Sequence, residues 1–295
     1  MSRKTTTEKK TKPSKKEGRR IRSLPVMTQL IPYIMPTRND ALNYISDSID
    51  ITSIEKYIAQ KRAEGYEGFG IMHIFLAAYV RTVAEKPGIN RYIRGQRIYA
   101  RNGIQIMLTI KKEMTANSPD TVVKIFPKPT DTAIDIYRQM NEVVTESKKP
   151  ADTDFDKLMN VINAIPGLFL RWTIKFLNFL DYFRLLPHGL TKLSPFHGSF
   201  FITSMGSLGI PPIYHHIYNF GNVPLFLSFG AKRSENYINA AGNVCTRKMV
   251  DYKIVTDERI CDGFYYALAL KTLRFYLKNP SKLDLPPAEV VEDVR

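Results

Sequence analysis

The stretch TDERICDG, residues 256–263, decides how the rest of this sequence is interpreted. It overlaps KMVDYKIVTD (248–257), a run of alternating apolar and polar residues that predicts a β-strand. The segment after Asp262-Gly263 has the apolar content and length of a helix. The stretch is therefore predicted to join a strand to a helix through a charged Asp-Glu-Arg loop at 257–259.

The rest of the 295-residue chain alternates between strand-like and helix-like segments. Predicted strands are 41–51, two within 95–113 on either side of Asn102-Gly103, 121–126, 199–205 and 224–230. Predicted helices are 52–64, 71–86 and 131–148, in addition to the one after Gly263. The Asn-Gly pair also fits a bulge. This interleaving predicts an α/β or α+β class, in one large domain or two small ones.

The composition excludes several classes of protein. The two cysteines, Cys245 and Cys261, show no C-x-x-C spacing, so we expect neither a structural metal site nor a disulfide framework. There is no secretory signal at the N-terminus, and no apolar run is long enough to span a bilayer. We therefore expect a cytoplasmic protein without a metal.

The net charge of +15 is concentrated at the N-terminus, where residues 1–22 hold ten Lys/Arg against two Glu. Such a segment favours a disordered basic tail, predicted here as residues 1–24, ahead of a domain at 25–280 and an acidic tail at 281–295. The alternative is attraction to an anionic surface. Membrane phospholipid is favoured over nucleic acid, because no zinc-finger spacing or RNA-binding motif follows.

An apolar block, AIPGLFLRWTIKFLNFLDYFRLLPHGL, occupies residues 164–190. On a helical wheel its polar residues form one narrow stripe: Arg171, Lys175, Asn178 and Asp181. Two interpretations remain open. The helix is buried against the domain or a subunit interface, or it lies in a membrane interface with its tryptophan and cations at headgroup level.

Four stretches together resemble a known family, the acyltransferase catalytic domain of 2-oxoacid dehydrogenase complexes, which has the fold of chloramphenicol acetyltransferase. They are DITSIEKY (50–57), KPGINRYIRGQRIYARNGIQI (86–106), FFITSMGSLG (200–209) followed by Asn219, and TDERICDG. The last resembles the family's D-H-R-x-x-D-G motif. The resemblance runs from about residue 25 to 280, interrupted by a helical insertion at about 150–195.

The resemblance implies a two-layer α/β fold, a homotrimer, and acyl transfer between thiols with coenzyme A as the acyl-CoA substrate. In the family, the hydroxyl motif and the D-H-R motif lie on opposite sides of a subunit interface. This chain contains no lipoyl-lysine motif. An isolated trimer is therefore expected, without a lipoyl domain in the chain.

The resemblance also implies the site residues. The catalytic positions are Glu258, Thr203 and Asp262, and the supporting positions are Ser204, Asp257, Arg259, Gly263 and Arg38. The Thr203 hydroxyl would bind the oxyanion of the tetrahedral intermediate, and Asp262 would hold the loop. Arg38 is predicted to pair with Asp262.

Glu258 stands where the family has its catalytic histidine. A free carboxylate accepts a thiol proton less readily than imidazole by roughly 3 kcal/mol, which is about a hundredfold in rate. The residue is therefore either a weak base or the partner of Arg259 or another basic neighbour in an ion pair. His215 and His216, which follow the hydroxyl motif, are predicted to pack among aromatic residues. Two functions follow: an acyltransferase with a modified site, or an inactive homologue that serves as a trimeric scaffold at the membrane.

Overall fold

The computed structural model of the chain describes residues 17–111, 120–147 and 161–295. Within these residues the main feature is a six-stranded sheet in the order β2-β9-β8-β7-β5-β6. Its strands are β2 (Leu42–Asp50), β5 (Ile106–Lys111), β6 (Asp120–Ile125), β7 (Phe200–Ser204), β8 (Leu225–Ile238) and β9 (Val244–Asp257). The mixture of strands and helices confirms the predicted α/β class.

The central strand β7 is parallel to both of its neighbours, whereas the other pairs in this sheet are antiparallel. A parallel pair needs a long connection. The chain supplies one between β6 and β7, and a shorter irregular one between β7 and β8. The end of β7 is thereby placed in the middle of the sheet.

Helices cover one face of this sheet and form the main core. They are α2 (Thr52–Ala63), α3 (Ile71–Glu85), α4 (Ala133–Ser147) and α7 (Gly263–Lys278). Every α3 residue from His73 to Ala84 is buried, which explains why its sequence is apolar on nearly all sides. Phe75 of α3 stacks on Phe229 of β8 at 4.9 Å between ring centroids and joins the two layers.

A second sheet of three strands has the order β1-β4-β3, with β1 (Gly18–Arg20), β3 (Tyr92–Arg94) and β4 (Arg97–Arg101). The hairpin turn between β3 and β4 is Gly95-Gln96, and both residues have positive φ, as a two-residue turn of this type requires. The strands on either side of Asn102-Gly103 are β4 and β5. They belong to different sheets, so this pair does not form a hairpin.

The predicted domain boundaries need correction at both ends. Residues 1–16 lie outside the described residues, but residues 18–20 of the predicted tail form β1, and Ile21 is buried. The acidic segment at the C-terminus also packs on the domain. Asp293 forms an ion pair with Arg91 at 2.5 Å, and the Val291 amide donates to the Ala84 carbonyl. Because described residues on both sides of 25–280 are buried or hydrogen-bonded, the folded unit is larger than that range.

The apolar block forms α5 (Gly167–Tyr182), which is followed by the short α6 (His188–Leu193). The apolar face of α5 is not buried against its own domain: Trp172, for example, is 63% exposed. Instead Asp181, from the polar stripe, is the buried residue of this helix. Burial of this face against the chain's own domain is therefore wrong, whereas burial in a subunit interface and contact with a membrane interface both stay open. The predicted insertion begins at residues 150–160, which lie outside the described residues.

Candidate functional site

The Asp-Glu-Arg loop at the end of β9 is held by a buried charge cluster. Arg259 donates to both carboxylate oxygens of Asp257 at 2.8 Å, and Arg38 Nε lies 3.3 Å from Oδ2. All three side chains are at most 4% exposed. Buried charges persist only when they are paired and hydrogen-bonded, so this cluster fixes the loop firmly to the domain.

Arg38 joins the loop to two other segments. Its Nη2 donates to the Gly221 carbonyl at 2.7 Å, and its Nη1 donates to the Tyr218 carbonyl. Burial and the positive charge of Arg259 lower the Arg38 pKa, while Asp257 acts in the opposite direction. Arg38 is therefore a structural residue, as predicted, although its partner differs from the prediction.

The predicted pair between Arg38 and Asp262 is wrong, because Asp257 is the partner of Arg38. Asp262 instead caps α7, where its Oδ1 accepts from the Tyr265 amide at 2.8 Å. A carboxylate at this position satisfies one of the free amides of the first helical turn. Asp262 and Gly263 thus define the start of the helix and end the loop.

Glu258 is exposed at the tip of this loop. Its backbone amide donates to the Ala41 carbonyl at 2.8 Å. Within the three described ranges its carboxylate has no ion pair and no hydrogen bond. The predicted alternative, an ion pair with Arg259, is wrong because Arg259 is fully occupied by Asp257 and the Met35 and Pro36 carbonyls. The carboxylate is therefore presented on a rigid loop and is free to meet another molecule.

Thr203 and Ser204 lie at the carboxyl end of β7, where both are half-buried. They line a cavity of about 450 Å³ whose walls are mainly apolar and aromatic. The predicted hydroxyl position therefore opens on a space large enough for a small organic group.

His215 is a functional candidate that the sequence analysis assigned only to packing. Its ring stacks on Phe226 at 4.4 Å, and it lines the same cavity as Thr203. Burial and the neighbouring His216 lower the His215 pKa, so its ring is neutral at neutral pH. No pattern in the sequence could reveal this, because the position depends on how the 206–224 connection folds back over the sheet.

Thr203 and Glu258 lie far apart within one chain. In the sheet register Thr203 is level with Ser228 on β8 and with Lys253 on β9, five residues before Glu258. Five residues of strand and two strand spacings correspond to roughly 19 Å. One chain alone therefore does not bring the hydroxyl and the carboxylate to one substrate.

A second charge cluster lies under the β3–β4 hairpin. Glu17 pairs with Arg101 at 2.5 Å and with Arg94 at 2.7 Å, and Arg94 also pairs with Asp181 of α5 at 2.9 Å. Burial alone would raise the pKa of Glu17, but Arg101, Arg94 and a hydrogen bond from Asn222 hold it at about 2. The cluster ties β1, the hairpin and α5 together.

No group of three His, Cys, Asp or Glu residues that could hold a metal ion occurs in the parts of the chain that the structure describes.

Comparison with known proteins identifies the fold. No family model and no curated protein sequence matches this chain. Solved structures do match: a probable dihydrolipoamide acetyltransferase from Listeria monocytogenes is 17% identical, with a TM-score of 0.55, over 88% of this chain and 94% of its own. The dihydrolipoamide acetyltransferase of Azotobacter vinelandii is 15% identical, with a TM-score of 0.57, over 89% and 93% of the two chains.

A chloramphenicol acetyltransferase is 14% identical to this chain, with a TM-score of 0.51, over 85% of this chain and 94% of its own. The protein thus has the chloramphenicol-acetyltransferase-like fold. The resemblance inferred from TDERICDG and the three other stretches is confirmed at the level of the fold, and the structures that carry it are dihydrolipoamide acetyltransferases and their relatives.

Proposed function

We propose that the protein is an acyltransferase that accepts acyl groups from a thioester such as acyl-CoA, through a site in which glutamate replaces the family's histidine. One observation carries this proposal. Glu258 is exposed on a loop fixed by Asp257, Arg38 and Arg259, and its carboxylate has no partner within the described residues. The fixed loop thus holds a solvent-accessible carboxylate at the position that carries the base in the resembled family, where a substrate could reach it.

In the proposed reaction, Glu258 accepts the proton of an attacking thiol, and the thiolate adds to the thioester carbonyl. The Thr203 hydroxyl donates a hydrogen bond to the oxyanion that forms. Collapse of this intermediate breaks the bond to the coenzyme A sulfur, and the protonated Glu258 returns the proton to the departing thiolate. Ser204 supports the same end of β7, and Asp262 and Gly263 fix the start of α7.

The site would be shared between copies of the chain in a homotrimer. The distance of roughly 19 Å between Thr203 and Glu258 supports this arrangement, because each chain then supplies one half of each site. The Azotobacter vinelandii study concerns a serine, a histidine and an asparagine in the catalytic mechanism, with the last two four positions apart. Glu258 and Asp262 have the same separation.

The alternative is an inactive homologue that binds thioesters or partners as a trimeric scaffold. The observation that favours it is Glu258 itself, because carboxylate is the weaker base toward a thiol by about a hundredfold. His215 also affects the choice between an active enzyme and an inactive homologue. Its neutral ring lines the same cavity as Thr203, so it is a second candidate for the base.

The test is acetyl-CoA turnover with a panel of small thiols, for the wild-type chain and for Glu258→Gln and Glu258→His. Turnover by the wild type that Glu258→Gln abolishes supports the acyltransferase. Activity only in Glu258→His supports the inactive scaffold. An inactive panel, including Glu258→His, contradicts the proposed thioester chemistry.

We also propose peripheral attachment to an anionic membrane through residues 1–22 and 164–190. The exposed apolar face of α5 supports this, together with the ten cations of the basic segment. Among the described residues, no helix has the length and apolar content to cross a bilayer. Attachment would therefore use helices lying in the interface. A cytoplasmic location remains part of this proposal.

A further inference from the structure

In helix α1 (Val26–Ile34) the side toward the domain carries the half-buried Gln29 and the buried Pro32, while a large apolar face is turned to solvent. Gln29 Nε2 donates to the carbonyls of Arg22 and Leu24 at 3.1 and 2.7 Å. The exposed residues are Val26, Met27, Leu30, Tyr33 and Ile34, which have the spacing of a single helix face. A helix that only stabilised its own domain would bury that face.

Helix α5 also turns a large apolar face to solvent, while its half-buried residues Leu170, Ile174, Leu177 and Leu180 have the helical spacing of the side that carries Asp181. Its Asp181 is buried and lies 2.9 Å from Arg94 and 3.5 Å from His197, so it anchors the helix to the domain by a polar contact. The large apolar residues point the other way: Leu168, Phe169, Trp172, Phe176, Phe179 and Phe183 are 55 to 69% exposed.

Helices α1 and α5 both lie next to the turn of the β3–β4 hairpin. Leu30 and Tyr33 of α1 line a cavity with Gln96, and the Tyr182 hydroxyl of α5 lies 3.0 Å from the Gln96 side-chain oxygen. The residues that follow α1, 36–37, line a second cavity together with Asp181. The α1 and α5 helices therefore lie on two sides of one turn.

The exposed charge on the two helices and on the residues next to them in the sequence has one sign. Segments 18–34, 94–97 and 161–195 contain a single acidic residue, Asp181, and it is buried. The exposed cations are Arg20, Arg22 and Arg97 near α1, and Arg171, Lys175 and Arg184 on or after α5. Two such surfaces from two copies would repel each other, whereas an anionic phospholipid surface would complement both the apolar faces and the cations.

The first described residue, Glu17, lies beside the same turn. Residues 1–16 carry seven Lys/Arg and one Glu, and they join the described chain at Glu17, which pairs with Arg94 beside the turn. The positive charge of this segment would add electrostatic attraction to an anionic bilayer.

We propose that α1 and α5 together form one binding surface for anionic phospholipid, with both apolar faces inserted at the boundary of headgroups and acyl chains. The inference rests on the proposed attachment through 1–22 and 164–190, and it adds α1, which that proposal does not contain. Two helices anchored on either side of a rigid hairpin also fix how the domain is oriented on the bilayer.

The experiment uses the full chain and phosphatidylcholine vesicles with and without phosphatidylserine. Trp172 is the sole tryptophan of the sequence, so its emission reports on α5 directly, and co-sedimentation reports on binding. Wild type is expected to sediment with phosphatidylserine vesicles and to show a blue shift. Met27→Asp with Leu30→Asp should lower vesicle partitioning by about tenfold or more.

The matched control is Ile238→Asp with Val244→Asp, two equally exposed residues paired at the far end of the β8–β9 hairpin. It should bind as wild type does, with unchanged far-ultraviolet circular dichroism in every variant. If the Met27→Asp, Leu30→Asp variant binds vesicles as well as wild type does, the role of α1 is overturned. If Phe169→Asp with Phe176→Asp then abolishes binding, the proposed attachment through α5 still holds. Failure of wild type to bind overturns both. The inference is also overturned if, in the absence of vesicles, the α1 variant sediments as a smaller species than wild type. That result would mean that a second copy of the chain covers α1 in the wild type.

Discussion

Asp257 is the residue on which the geometry of the candidate site depends most directly. It is the shared counter-charge of Arg38 and Arg259, and through Arg38 it connects the loop to residues 218–221. Because the cluster is buried, its removal would leave two cations without compensation.

We expect Asp257→Asn to lower the free energy of unfolding by about 3–5 kcal/mol, the usual result of breaking a buried ion pair. Asp251→Asn, on the same strand, is the control, since its pair with Arg233 is partly exposed and should contribute about 1 kcal/mol or less. Urea unfolding followed by circular dichroism measures both. Equal losses in the two variants would contradict the structural role of the cluster.

The roles of Thr203 and His215 can be separated by paired substitutions. Loss of an oxyanion donor costs about 10²–10³ in kcat, so we expect Thr203→Val to lose that much thioester turnover while Thr203→Ser retains most of it. His215→Gln should leave kcat close to wild type if Glu258 is the base. If His215→Gln lowers kcat as much as Glu258→Gln does, His215 has to be considered as the base.

The sequence identified most of these residues but not their partners. The order of Asp257, Glu258, Arg259 and Asp262 is visible in one short stretch, so the loop could be recognised. The partner of Arg38 could not be recognised, because Asp257 and Asp262 are both acidic. Only the structure shows that Asp262 already accepts a hydrogen bond from the Tyr265 amide.

At the scale of elements, a buried charge cluster helps attach β1 and α5 to the domain. Glu17, just before β1, holds Arg94 and Arg101, and Arg94 in turn holds Asp181 of α5. The contribution of this cluster to both attachments depends on the ionised form of Glu17.

This dependence predicts a loss of stability in acid. The Glu17 pKa is about 2 in the folded chain against an ordinary 4.5, so its contribution is present above 4.5 and is lost as pH falls toward 2. The total is roughly 3 kcal/mol. The difference in unfolding free energy between wild type and Glu17→Gln should thus be largest near neutral pH and shrink in acid. Glu142→Gln, an exposed position on α4, should show no such trend.

Element type was predictable where the hydrophobic period survives in the sequence, as in β2 and β9. The orientation of an element on the domain could not be predicted in this way. The sequence of α5 is apolar on most sides and does not say which side contacts the domain. Asp181 marks that side, because it pairs with Arg94 and lies 3.5 Å from His197.

For the molecule as a whole, the separation of Thr203 from Glu258 predicts complementation between subunits. Mixing Thr203→Val and Glu258→Gln chains after joint refolding should restore activity, since roughly a quarter of the interfaces would then combine an intact hydroxyl with an intact carboxylate. Each variant refolded alone should stay inactive. Absence of any gain on mixing would show that the site is not shared in this way. The family resemblance implied this separation, and the register of β7, β8 and β9 gives its size.

The pairing of β2 with β9 also affects how the protein is made. Leu42 pairs with Asp257, so β2 leaves the ribosome long before its partner has been translated. Until then β2 is an unpaired edge in an incomplete domain, a situation that invites association with other nascent chains. Asp47 and Asp50 lie on this strand, and charges of this kind oppose such pairing. Synthesis of this fold therefore includes a long interval in which chaperone access to residues 42–50 would decide the yield of native protein.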